Sequence, residues 1–116
     1  ERLSLQDDLI LVHGRAAKEA FKVGNYNPHG WIAYVMENVL FVKRFSVNAI
    51  NRYPDRGCNA EVYVKDSFVE LETLGPLKIL EHQESVMYEE IWEVILEENP
   101  VTLETARQIS RQLSQS

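Results

Sequence analysis

Cysteine is nearly absent: Cys58 stands alone in 116 residues, which excludes an internal disulfide. With only His13, His29 and His82 scattered beside it, there is no set of about four ligands at short spacing of the kind a structural zinc needs. Glycine is sparse too. Gly14, Gly24, Gly30, Gly57 and Gly75 never fall into a G-x-G or Walker spacing, which removes the phosphate-cradling loops of nucleotide chemistry. No apolar run approaches the ~20 residues that cross a bilayer, and no basic segment leads into an apolar leader core, so no membrane partner is expected. Positive charge is in deficit, with 12 Lys and Arg against 18 Asp and Glu and a formal net charge of −6. Such a surface repels phosphate backbones and anionic lipid, so nucleic acid is not an expected partner either. These absences point to a reducing, cytoplasmic setting and to a domain with no metal and no cofactor.

What is present is one domain's length of chain, rich in short apolar stretches crowded with β-branched and aromatic residues. Residues 1–98 read as an all-β, antiparallel domain and 99–116 as a C-terminal amphipathic helix packed on it. The continuous run Leu9-Ile-Leu-Val12 within Asp8 to His13 predicts a strand covered on both faces, and Ala20 to Val23 predicts another that ends at Gly24. Asn25 to Gly30 has loop chemistry that reverses the chain. Trp31 to Met36 and Val39 to Phe45 form a hairpin about Glu37-Asn38, where asparagine tolerates a positive φ. In its second strand Val39, Phe41, Lys43 and Phe45 share one face, and Leu40, Val42 and Arg44 the other. Each face thus carries one cation among apolar neighbours.

Asn48 to Asn59 is the longest irregular stretch, with Pro54, Asp55 and Gly57 suited to turn positions. Strands are expected at Ala60 to Val64, Phe68 to Thr73 and Leu77 to Leu80, and at Val86 to Leu96, where Met87, Ile91, Val94 and Ile95 also fit a helical face but the β-branched and aromatic content favours a strand. Alternation places Phe68, Glu70 and Glu72 on one side, and it aligns Val86, Tyr88, Glu90, Trp92, Val94 and Leu96. Asn99-Pro100 or Thr102 can cap the final helix, whose stripe is Leu103, Ala106, Ile109 and Leu113.

Three features carry candidate chemistry. Between Glu81 and Ala106 there are eight glutamates and no Lys or Arg, which suits a divalent cation or a basic partner as well as a solvated strand edge and helix start. Trp31, Tyr34, Tyr53 and Trp92, with Lys43, Arg44 and Glu90 nearby, have the composition of a sugar site: an apolar platform with a polar grip. Glu72 and Glu90 lie on apolar strands, where a carboxylate must be paired, hydrogen-bonded or protonated. Pairing with Lys43 or Arg44 is the structural alternative to a general acid or base. The histidines read as surface residues and Cys58 as a small packed side chain.

The string Arg52-Tyr-Pro-Asp-Arg-Gly-Cys-Asn-Ala-Glu-Val-Tyr63, then Phe68-Val-Glu-Leu-Glu-Thr-Leu-Gly-Pro-Leu77, Glu84-Ser85 and Glu90-Ile-Trp92 resembles the C-terminal part of uncharacterised bacterial proteins of the galactose mutarotase-like superfamily. Phe21 to Gly24, Gly30 to Tyr34 and Leu40 to Phe45 look like the same branch. The resemblance implies an antiparallel β-sandwich, part of a larger supersandwich, with a concave sugar-binding face. It implies that Glu72, in Leu71-Glu72, stands where aldose epimerases keep the base that takes the anomeric proton. The chain looks like the C-terminal half of that fold, without counterparts for the N-terminal histidine and arginine of the epimerase site.

Three functions follow as expectations. The first is a carbohydrate-binding module, not catalytic alone, with Trp31, Tyr34, Lys43, Arg44 and Glu90 as binding residues. The second is an aldose epimerase-like isomerase with Glu72 as base and His29 or His82 as acid. The third is a structural or protein-interaction module with a decayed pocket. Half a sandwich leaves edges and an apolar face open, so a homodimer, the missing half or the terminal helix is expected to cover them.

Overall fold

The computed structural model describes residues 2–6, 9–14 and 17–115. It is mostly β-strand in antiparallel sheets, with a helix at the C-terminus. A hairpin pairs β1 (Leu3–Gln6) with β2 (Leu9–Val12). One three-stranded sheet has the order β3 (Ala17–Asn25), β6 (Ala60–Asp66), β7 (Phe68–Thr73). The other has the order β4 (Trp31–Met36), β5 (Val39–Phe45), β8 (Glu90–Leu96). A four-residue turn, α1 (Pro54–Gly57), lies between β5 and β6, and α2 (Leu103–Gln115) follows β8.

The alternation read in β5 is the alternation that packs. Leu40 and Val42 are buried together with Leu113 of α2, and Trp31, Ala33, Ile95 and Ile109 close around them. The helix therefore covers one face of the β4-β5-β8 sheet. It starts at Thr102, whose Oγ1 accepts the Thr105 amide as an N-cap does, so Asn99-Pro100 lies outside it. Leu103, assigned to the apolar stripe, stays 39% exposed. Ser110 takes a buried place instead, donating its hydroxyl back to the Arg107 carbonyl at 2.8 Å.

Asn27 shapes the loop before β4. Its Oδ1 accepts from the amides of His29 and Gly30, its Nδ2 donates to the Trp31 carbonyl, and its backbone exchanges two hydrogen bonds with the side chain of Asn59, which is fully buried. Gly30 completes the reversal at φ +74, and a Cβ there would lie 2.5 Å from the Phe45 carbonyl oxygen. Gly30→Ala combines left-handed strain with a backbone clash, so it is expected to destabilise by about 2–3 kcal/mol, read from the midpoint of urea unfolding.

Several expected elements change in the structure. β1 is a strand beyond those expected from the sequence, and Ile10 of β2 is 45% exposed, so a two-stranded hairpin does not cover β2 on both faces; Asp8 lies outside the described residues. β3 begins at Ala17, earlier than Ala20, because its partner β6 runs on to Asp66 and pairs with it across a bulge. In the β4–β5 turn the positive φ falls on Glu37, at 48°, while the Asn38 side chain donates to the Glu97 carbonyl. Leu77 to Leu80 forms no strand: Pro76 has no amide to give, and the Leu77 amide bonds only the Arg52 carbonyl. β8 is shorter than Val86 to Leu96 because pairing with β5 ends at Phe45 opposite Glu90.

Candidate functional site

β5 and β8 are paired so that Lys43 lies opposite Trp92 and Phe45 opposite Glu90, which brings three chemically capable side chains to one face. Lys43 is 9% exposed. Its Nζ lies 2.9 Å from Glu90 Oε2 and donates to the Leu71 carbonyl at 2.8 Å. In an antiparallel ladder alternate residues direct their amide and carbonyl groups away from the partner strand, and Leu71 is one of these on β7. Lys43 thus satisfies a carbonyl on the open edge of the other sheet while holding a carboxylate of its own.

Glu90 is well held. Thr73 Oγ1 donates to Oε2, and Trp92 Nε1 donates to Oε1 at 3.2 Å. Burial alone pushes this carboxyl upward, but the bonds from Thr73, Lys43 and Trp92 outweigh it and hold the carboxyl below its ordinary value. Trp92 is 66% exposed; Phe41 meets its ring edge-on at 5.6 Å and the Lys43 ammonium lies 5.9 Å from its centroid. Burial raises the phenol of nearby Tyr88.

The remaining residues named from sequence lie elsewhere. Arg44, one step from Lys43 and so on the opposite face, pairs with Glu93. Trp31 and Tyr34 line a cavity of about 690 Å³ between the sheets, β2 and α2, whose walls include Val23, Val62, Leu71 and Ile109. Neither Lys43 nor Glu90 lines that cavity, so the apolar space and the polar cluster are separate places.

Glu72 lies 3.1 Å from Lys22 and faces away from Leu71, beside its cross-strand neighbour Glu61. Lys22 bridges both carboxylates and is 2.8 Å from Glu61, which raises its ammonium. Glu61 is 3% exposed. Lys22 draws its carboxyl down, but burial and the neighbouring Asp55 carboxyl act the other way and prevail. His29 and His82 are exposed, and among the described residues neither contacts Glu72. Burial, Glu61 and Asp55 push the Cys58 thiol up, the opposite of nucleophile activation.

Two members of the cluster were missed or left out of the binding set by sequence reasoning. Trp92 was visible as an aromatic sharing Glu90's face. Thr73 gave no signal, being one strand-ending threonine whose partner is 17 residues away. Among the described residues no group of three or more His, Cys, Asp or Glu side chains is placed to hold a metal ion, and no helix is long and apolar enough to cross a membrane. No family model, curated protein or solved structure matches this chain.

Proposed function

We propose that the protein is a carbohydrate-binding β-sandwich of the mutarotase-like type, with the Lys43–Glu90–Trp92 cluster as its sugar contact. The observation that carries this reading is an exposed indole, fixed edge-on by Phe41 and tied by its own N–H to a charged pair. Sugars present an apolar C–H face and a rim of hydroxyls, which match an aromatic platform beside fixed donors and acceptors. The ordered motifs of the sequence resemblance support the same class.

Glu72, engaged by Lys22 on another surface, has no part in this contact, which favours binding over epimerase chemistry. Saturation-transfer proton NMR with a panel of reducing aldoses tests the proposal. Transfer from the wild type that falls at least tenfold in affinity in Trp92→Ala is expected, since stacking and the Glu90 contact together contribute about 1.4 kcal/mol or more. Silence across the panel, or transfer indifferent to Trp92→Ala, overturns it. Faster exchange between anomers that vanishes in Glu72→Gln would instead make the protein an aldose epimerase.

A further inference from the structure

The chain exposes 8532 Å², against roughly 6,500 Å² for a compact monomer of this size. Its radius of gyration is 15.4 Å, where about 13 Å is usual for this length. The excess, roughly 2,000 Å², is well above the ~800 Å² that each partner gives up in a standard protein interface.

Part of that surface is concentrated at one edge. Among the described residues β8 pairs only with β5, and Glu97 N donates to Asn38 O at 2.9 Å, which sets the parity of the ladder. Ile91, Glu93 and Ile95 exchange their backbone bonds with β5, so Trp92, Val94 and Leu96 direct theirs outward. Among the described residues nothing pairs with those outward groups. The side chains of the same residues are 66%, 65% and 76% exposed, and Ile91 on the other face is 58% exposed. The edge carries no proline, no lysine and no bulge over its seven residues.

We infer that β8 is a docking edge for an extended polypeptide segment of a partner protein, with apolar residues at alternate positions and basic residues at its ends. Charge selects that occupant. Within the strand the carboxylates are already neutralised, Glu90 by Lys43 and Glu93 by Arg44. Just beyond the strand ends, Glu89, Glu97 and Glu98 have no cation within ion-pair distance among the described residues. An incoming strand gains backbone hydrogen bonds along the edge and apolar contacts over its middle, and lysines or arginines at its ends meet the unpaired carboxylates. A second copy fits less well. In the antiparallel self-pairing that overlaps the whole strand, centred on Glu93, Glu89 falls opposite Glu97, a like-charge pair with no cation beside it among the described residues.

The inference does not depend on sugar binding, because it rests on backbone groups that the sugar contact leaves unused. Amide hydrogen exchange followed by NMR tests it, with a short peptide of alternating valine and threonine that bears lysines at both ends. The expected result is saturable protection of the Trp92, Val94 and Leu96 amides, while Ile91, Glu93 and Ile95 are protected with or without peptide. Val94→Pro removes one outward N–H and is expected to abolish the protection. Val94→Lys, a change at an exposed side chain that preserves the N–H, is expected to weaken it by repelling the peptide's lysines. Neither a control peptide with glutamates in place of those lysines nor a reducing sugar is expected to protect these amides. No protection, equal protection by the glutamate-ended peptide, or protection that grows with protein concentration alone would each overturn the proposal, the last by making a second copy the occupant. Sugar signals unchanged in Val94→Lys would separate the failure of one reading from that of the other.

Discussion

Lys43→Met is expected to destabilise the fold by about 3 kcal/mol, because removing one partner of a buried ion pair strands the other. Methionine keeps the aliphatic stem, so the loss is that of the ammonium alone. Two groups are left behind: the Glu90 carboxylate, still largely enclosed, and the Leu71 carbonyl, whose bond from Lys43 links the two sheets. The Glu90 side chain is 21% exposed, and residual water access places the cost at the lower end of the range for buried pairs. A urea-unfolding free energy that falls by less than about 1 kcal/mol would show that the sheets hold together without this link. Lys43→Met combined with Glu90→Leu is expected to recover part of the loss, since no charge is then left unpaired.

The same cluster sets an acid limit. The folded-state pKa of Glu90 lies below its ordinary value of 4.5. Its contribution is therefore fully present above the unfolded pKa and is lost as pH falls through the folded one. In Lys43→Met one of the bonds that lowers the pKa is gone. The acid-side loss is then expected to be smaller and to be complete at a higher pH, as pH-dependent urea midpoints would record.

The parts of this fold that follow from local pattern were legible in the sequence. Strict alternation in Val39 to Phe45 fixes which side chains meet α2, and the apolar spacing of Ala106, Ile109 and Leu113 supplies the matching helix face. Alternation also places Lys43 and Arg44 on opposite faces, so the two cations cannot serve one site; grouping them as binding residues set that parity aside. Glu72 follows the same rule, facing Lys22 while Leu71 turns toward the cavity. What alternation cannot supply is a partner. Among the described residues Leu77 to Leu80, despite its strand composition, pairs with no strand, whereas Leu3–Gln6, a less conspicuous alternation, pairs with β2. Which carboxylate lies beside which cation is fixed by sheet order, and β5 pairs with β8 across an intervening 44 residues, a partnership that no local pattern specifies.

Ending the chain before Asn99 is expected to abolish cooperative unfolding and cause aggregation. Without α2, Leu40 and Val42 lose the cover of Ile109 and Leu113, and Trp31, Ala33 and Ile95 open on the same face. The hairpin loses an anchor as well, since Arg107 donates to Gln6 Oε1 at 2.8 Å. A three-stranded sheet wet on a face built of such residues has a large apolar patch and two open edges, a combination that favours association between copies. A milder substitution isolates the packing contribution: Leu113→Ala removes a side chain that is 5% exposed and is expected to cost about 3 kcal/mol, a large share of the ~5–15 kcal/mol that holds a domain folded. Size-exclusion chromatography and thermal unfolding of the shortened chain would decide between the two roles open to the helix. A soluble chain with a sharp transition would mean that the sheets are stable without it; aggregates together with a destabilised but soluble Leu113→Ala would mean that the helix is the second layer on which the β4-β5-β8 sheet depends.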